Sequence, residues 1–192
     1  MNEEIAFIQV PKTATVSIHD RCHRDCVQIT HLPYQNPTAV QWRKAHPNGF
    51  MFAFFRNPFD RLVSAYAYFQ MEWTHQMVKD DVEKYALIHK DFREFVLKGV
   101  GDGRVLGQTH CRPQVSWITD ESGKVIVDFL GHYETLQQDF DQVCRRFGWE
   151  EKPLKLMNFT QHPSYREVYD RAMIDTVMSV YRMDFEVGGY TI

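Results

Sequence analysis

The sequence predicts an α/β fold: one three-layer domain with a central, mainly parallel sheet flanked by helices. Three observations lead there. Apolar runs at Ile5 to Val10, at 50–55 (FMFAFF) and at 125–131 (VIVDFLG) lack polar alternation, as strands covered on both faces do. The segments between them carry apolar residues at helical spacing. Strand-like and helical stretches therefore alternate, and that order builds parallel sheets.

Taken in order, the first run leads through PKTATVS (11–17) into a helical stretch, and a weaker strand, CVQIT, covers 26–30. After FMFAFF, Pro58 marks a turn and Asp60 is a candidate cap for a helix with Leu62, Ala65, Tyr66 and Phe69 on one face. The stretch GVGDGRVLG (99–107) does not fit G-x-G-x-x-G and follows a helical segment rather than a strand, so it reads as a loop. After VIVDFLG, Thr135 and Gln138 form a candidate capping box before Leu136, Phe140, Val143, Cys144 and Phe147, with Gly148 as the stop. A last helix carries Tyr169, Met173, Val177, Val180 and Tyr181 on one side.

The chain has 192 residues, 44% hydrophobic and 24% charged, which fits a single globular domain over 1–192. Its net charge of −3 argues against a general nucleic-acid binder, so any anion site must be local. Four cysteines, at 22, 26, 111 and 144, are too few and scattered for a disulfide framework and fit a reducing compartment. The acidic start MNEEIAFIQV lacks the basic region of a signal peptide, and no run of about 18 apolar residues spans a membrane. A cytoplasmic location is expected.

A strand passing through a tight turn into a helix directs backbone N–H groups and the positive end of the helix dipole at whatever sits above the turn. In PKTATVS, Lys12 adds a charge, and Thr13, Thr15 and Ser17 add hydroxyls. The loop is P-loop-like in its setting, but its lysine comes early and no Ser/Thr follows a late lysine to hold Mg²⁺. RNPFDRLVS (56–64) repeats the strand–turn–helix pattern, with Arg56 and Ser64 as candidate ligands of a second anion. Two anion sites at strand ends suggest a doubly phosphorylated nucleotide.

With these two motifs in this order, the sequence resembles the sulfotransferases that use 3′-phosphoadenosine 5′-phosphosulfate (PAPS), in particular the carbohydrate-type, family 2-like branch. HCRPQVSWI (110–118), VDFLGHYETLQQDF (127–140) and YRMDFEVGGY (181–190) extend the resemblance over nearly the whole chain. It implies a three-layer P-loop-like domain, PAPS as donor, no metal, and a small-molecule or glycan hydroxyl as acceptor. It also implies that Lys12, Thr13, Ala14, Thr15, Val16 and Ser17 hold the 5′-phosphosulfate and that Arg56 and Ser64 hold the 3′-phosphate. Ser164, Tyr165 and Arg166 would close over the nucleotide, Tyr165 stacking on adenine. Lys12 is the expected stabiliser of the leaving phosphate oxygen. The loop departs from the family pattern: many members have glycine or serine where this chain has Ala14 and Thr15, and a threonine where it has Val16.

A general base is still needed, and His31, in CVQITHLPY, falls in the segment between the two motifs where related enzymes place theirs. His46 and Glu72 come next. Arg112 and Gln114 are candidates for nucleotide or acceptor contacts. His19, Cys22, His23 and Cys26 share a helical face, but one straight helix cannot wrap four ligands around a zinc, so they read as a helix face. Two other readings compete: a nucleotide-binding protein without turnover, and a P-loop kinase using ATP and Mg²⁺.

Overall fold

Three strands form one parallel sheet among the described residues, in the order β1 (Ile5–Ile8), β2 (Phe50–Phe55), β3 (Phe129–His132). The computed structural model describes residues 4–24, 29, 37–71, 91–155, 157 and 162–191. The register runs from Ile5 opposite Phe50 to Phe55 opposite His132. The helices are α1 (Thr15–Arg24), α2 (Ala39–Ala45), α3 (Pro58–Phe69), α4 (Phe92–Glu94, passing into a π-helix over Phe95–Val100) and α5 (Val115–Ile118). Then follow α6 (Leu136–Phe147), α7 (Tyr165–Val168), α8 (Arg171–Val180) and α9 (Arg182–Gly188). No helix among the described residues is long and apolar enough to cross a membrane.

The chain folds into two compact units, Met1–Arg56 with Gln114–Phe159, and Asn57–Pro113 with Thr160–Ile192. The first holds the sheet. Its most apolar run, β2, lies at the sheet centre, where a strand needs apolar side chains on both faces. On one face Phe7, Phe52 and Phe54 pack with Ile18 and Cys22 of α1 and Phe140, Val143 and Cys144 of α6, with Phe7 and Phe52 stacked at 5.1 Å. The alternate residues Ala6, Ile8, Met51, Ala53 and Phe55 are buried as well, so both faces are covered. Gly131 permits the packing at β3: a Cβ there would lie 2.5 Å from the Phe54 ring.

Boundaries differ from the sequence reading, and the first strand ends at Ile8 rather than Val10. The third strand starts at Phe129, not 125, because the Asp128 carboxylate takes the Met51 N–H at 2.8 Å in place of a strand carbonyl, while Val125 bridges Thr119. The Thr135–Gln138 capping box does not form. Thr135 Oγ1 instead donates to Asp139 Oδ2 at 2.7 Å, since a carboxylate one turn on is the stronger acceptor. Gly148 ends α6 in the left-handed conformation as expected, φ 68°. Of CVQIT, only Ile29 lies within the described residues.

The second unit packs Phe59, Leu62, Ala65 and Phe69 of α3 against Phe95, Val96 and Val100 of the π-helix and Met173, Val177 and Tyr181 of the C-terminal helices. Asn57, not Asp60, caps α3, its Oδ1 accepting the Phe59 N–H at 3.0 Å. Pro58 dictates this, because a proline at the first helical position places the cap one residue before it. The single last helix of the sequence reading is two helices, broken at Tyr181. Asp170 caps α8 through the Met173 N–H, which leaves Tyr169 outside the helix, its hydroxyl on the Phe59 carbonyl at 3.0 Å. Of the loop expected over 99–107, Gly99 and Val100 close the π-helix and 101–107 form turns.

Candidate functional site

The β1–α1 turn carries the most unusual backbone among the described residues. Lys12 (φ 71°) and Ala14 (φ 65°) both adopt the left-handed conformation, on either side of Thr13. With a Cβ present, each such residue costs of order 1–2 kcal/mol, so the surroundings must hold the turn. Thr13 Oγ1 and Thr15 Oγ1 both donate to the Val10 carbonyl, at 2.8 and 2.9 Å, and Arg56 Nη1 donates to the Lys12 carbonyl at 3.2 Å. Left-handed residues alternating in a turn swing successive N–H groups toward one concavity, a shape that attracts anions. The first helical bond of α1 runs from Ile18 N–H to the Ala14 carbonyl, so the N–H groups of Thr15, Val16 and Ser17 precede it at the positive end of the dipole.

In this structure the hydroxyl hydrogens of Thr13 and Thr15 go to Val10, so both side chains shape the turn. Ser17 is buried and its Oγ accepts the Met157 N–H at 3.0 Å, a bond that does not use the hydroxyl's own hydrogen. Val16 is 41% exposed and has no hydroxyl to offer.

Arg56, at the end of β2, is only 5% exposed. Gln114, fully buried, holds its peptide from both ends: Arg56 N–H donates to Gln114 Oε1 at 3.0 Å, and Gln114 Nε2 donates to the Arg56 carbonyl at 2.9 Å. The guanidinium carbon sits 4.1 Å from the centre of the Tyr133 ring. Gln114 is thus a support of Arg56. Nothing local in the sequence signals a partner 58 positions away. Tyr133 was not singled out by sequence either. It follows β3 directly, in a turn fixed by the Asp139 carboxylate through the His132 N–H at 2.8 Å and the Thr135 hydroxyl.

In the second unit Ser64 is buried within α3. The Arg112 carbonyl receives Arg61 Nη2 at 2.9 Å. Ser164 caps α7, its Oγ accepting the Arg166 N–H at 3.3 Å. Tyr165 stacks on Phe59, with centroids 6.0 Å apart and planes 9° from parallel. Both line a cleft of about 270 Å³ with Arg166, Tyr169 and Ile174. Aromatic walls with one guanidinium suit a flat, anionic molecule.

The base candidates separate less fully. His31 and Glu72 lie outside the described residues. His46 pairs with Glu4 at 2.8 Å and stacks on Trp42, which commits its ring to packing. On α1, His19 and His23 stack at 6.4 Å, while burial pushes the Cys22 thiol up to about 12. Cys26 is outside the described residues, among which no three metal-ligating side chains come together.

A family model described as "Sulfotransferase family" matches residues 2–191. A protein of Archaeoglobus fulgidus described as uncharacterized is 28% identical over 118 residues, covering 62% of this chain and 83% of that protein. No solved structure matches.

Proposed function

The chain belongs to the sulfotransferase family, and from that premise we propose that it transfers a sulfonate from PAPS to a hydroxyl of a carbohydrate or other small metabolite. The observation that carries the donor reading is the β1–α1 turn, where Lys12 and Ala14 are left-handed around Thr13 although neither is glycine. A strained backbone held by three separate hydrogen bonds supports a preorganised anion site.

In this reading the 5′-phosphosulfate goes to the loop from Lys12 to Ser17, the 3′-phosphate to Arg56 and Ser64, and the adenine to Tyr165, with Ser164 and Arg166 beside it. The acceptor oxygen attacks sulfur, the bond from sulfur to the bridging phosphate oxygen breaks, and the acceptor proton passes to a base, His31. Lys12 neutralises the charge that grows on the departing phosphate oxygen, stabilising the transition state more than the ground state. The sulfonyl group carries less charge than a phosphoryl group, so a cation and fixed donors suffice without a metal. The protein is read as one cytoplasmic sulfotransferase-like domain, consistent with free thiols at Cys22, Cys111 and Cys144.

The test is incubation with PAPS labelled in the sulfonate and a panel of sugar, glycan and small hydroxyl acceptors, with EDTA present. Label on an acceptor, abolished in Lys12→Ala, is the expected result. Tight binding of the bisphosphate nucleotide with no transfer to any acceptor would favour the inactive relative.

A further inference from the structure

Arg56 does more in this structure than wait for a phosphate. Its guanidinium donates to the carbonyl of Lys12, the first left-handed residue of the β1–α1 turn, at 3.2 Å. Its peptide is fixed at both ends by the buried Gln114 amide, and its charged group rests on the Tyr133 ring. Tyr133 in turn sits in a turn that Asp139 pins to the end of β3. The guanidinium is therefore held by β2, by the residue after β3 and by the turn after β1, at the ends of the three strands among the described residues.

The hold on Lys12 has a directional consequence. In a trans peptide the C=O and N–H point to opposite sides, so fixing the Lys12 carbonyl also fixes the direction of the Thr13 N–H. A bond to a charged donor is among the stronger ones available to hold a strained turn. We propose that Arg56 is a positioning residue for the Lys12–Ser17 turn, with Tyr133 setting its guanidinium, and that this contact links the 3′-phosphate to the 5′-phosphosulfate loop. Five N–H donors allow one guanidinium to serve a carbonyl and a phosphate together. A 3′-phosphate drawing on Arg56 thereby acts on the turn that receives the reacting end of the donor. The linkage rests on the donor reading above. The hold on the turn does not.

Two measurements test it separately. The first is hydrogen exchange over residues 11–18 in the ligand-free protein, comparing wild type with Arg56→Met and Tyr133→Leu. Loss of the tie is expected to speed exchange there about tenfold in Arg56→Met, and less in Tyr133→Leu, as befits loss of one charge-assisted bond. Unchanged exchange in both overturns the positioning role. Should Arg56→Met not fold, Arg56→Lys and Tyr133→Leu serve, because lysine keeps the charge but cannot span carbonyl and phosphate in one planar fork.

The second is binding of adenosine 5′-phosphosulfate, which lacks the 3′-phosphate, beside adenosine 3′,5′-bisphosphate. Ser64→Ala is expected to weaken only the bisphosphate. Arg56→Met is expected to weaken both, the phosphosulfate by about tenfold. If Arg56→Met binds the phosphosulfate as wild type does, Arg56 grips the 3′-phosphate alone and the linkage is wrong. A wild-type protein that binds neither nucleotide removes the donor reading and the linkage with it, while the exchange result still decides the hold on the turn.

Discussion

Replacing Gln114 by leucine tests how Arg56 is held. Leucine has nearly the volume of glutamine, so the cavity effect is small and the loss is polar: the Arg56 N–H and carbonyl lose the partners they have at 3.0 and 2.9 Å. Each buried group left unsatisfied costs about 1–3 kcal/mol, so the pair should cost roughly 2–6 kcal/mol. In a chain of this size 1 kcal/mol moves Tm by about 2–4 °C, which predicts a fall of roughly 4–24 °C, read by thermal and urea unfolding. Gln114→Glu keeps an acceptor for the Arg56 N–H but, once ionised, offers no donor to the carbonyl, and it brings a charge into a fully buried position. It too should destabilise. A Gln114→Leu protein within about 0.5 kcal/mol of wild type, the range of an indifferent surface change, would refute the reasoning.

Lys12→Ala should lower turnover by orders of magnitude while weakening donor binding far less, because its charge acts as the leaving oxygen becomes negative; weaker donor binding with turnover unchanged would place it in the ground state only. Burial raises the Cys22 and Cys111 thiols from an ordinary 9.0 to about 12. Both therefore keep protons in the folded chain that the unfolded chain releases, so their stabilisation is intact below about pH 9 and is lost as pH climbs toward 12. Tm should fall over that window, and Cys111→Ala should flatten the fall; an identical slope in the variant would contradict it. Gly131→Ala should cost about 1–3 kcal/mol in unfolding measurements, since its Cβ meets the Phe54 ring at 2.5 Å. A neutral result would mean the ring moves aside freely.

The fold was legible where one physical demand dominates. FMFAFF reads as a strand covered on both faces, and it is the sheet centre among the described residues. Gly148 ends its helix because little else accepts a left-handed cap so readily. The errors came where a side chain displaced a local rule. Asp128 and Asp139 offered carboxylates that outcompeted a strand carbonyl and a threonine cap, and Pro58 moved the cap of α3 to Asn57.

Of the candidate site, the two anion motifs were readable as strand–turn–helix junctions with a cation in each. The conformation of the first was not. Without a glycine, nothing local announces left-handed backbone at Lys12 and Ala14. It is held by Thr13 and Thr15 bonding to Val10 and by Arg56 bonding from 44 positions away. The grip of Gln114 on Arg56 is likewise non-local and leaves no periodic trace in the chain.

The most direct test is the thermal shift of the wild-type protein with adenosine 3′,5′-bisphosphate and, separately, with ATP and Mg²⁺. A ligand at about 100 times its Kd adds about 2.7 kcal/mol to stability, which raises Tm by roughly 5–11 °C in a chain this long. A donor site for PAPS predicts that rise with the bisphosphate, undiminished by EDTA and reduced in Ser64→Ala, and little or none with ATP and Mg²⁺. A rise with ATP that requires Mg²⁺, and none with the bisphosphate, would contradict it and make the two anion motifs a kinase site.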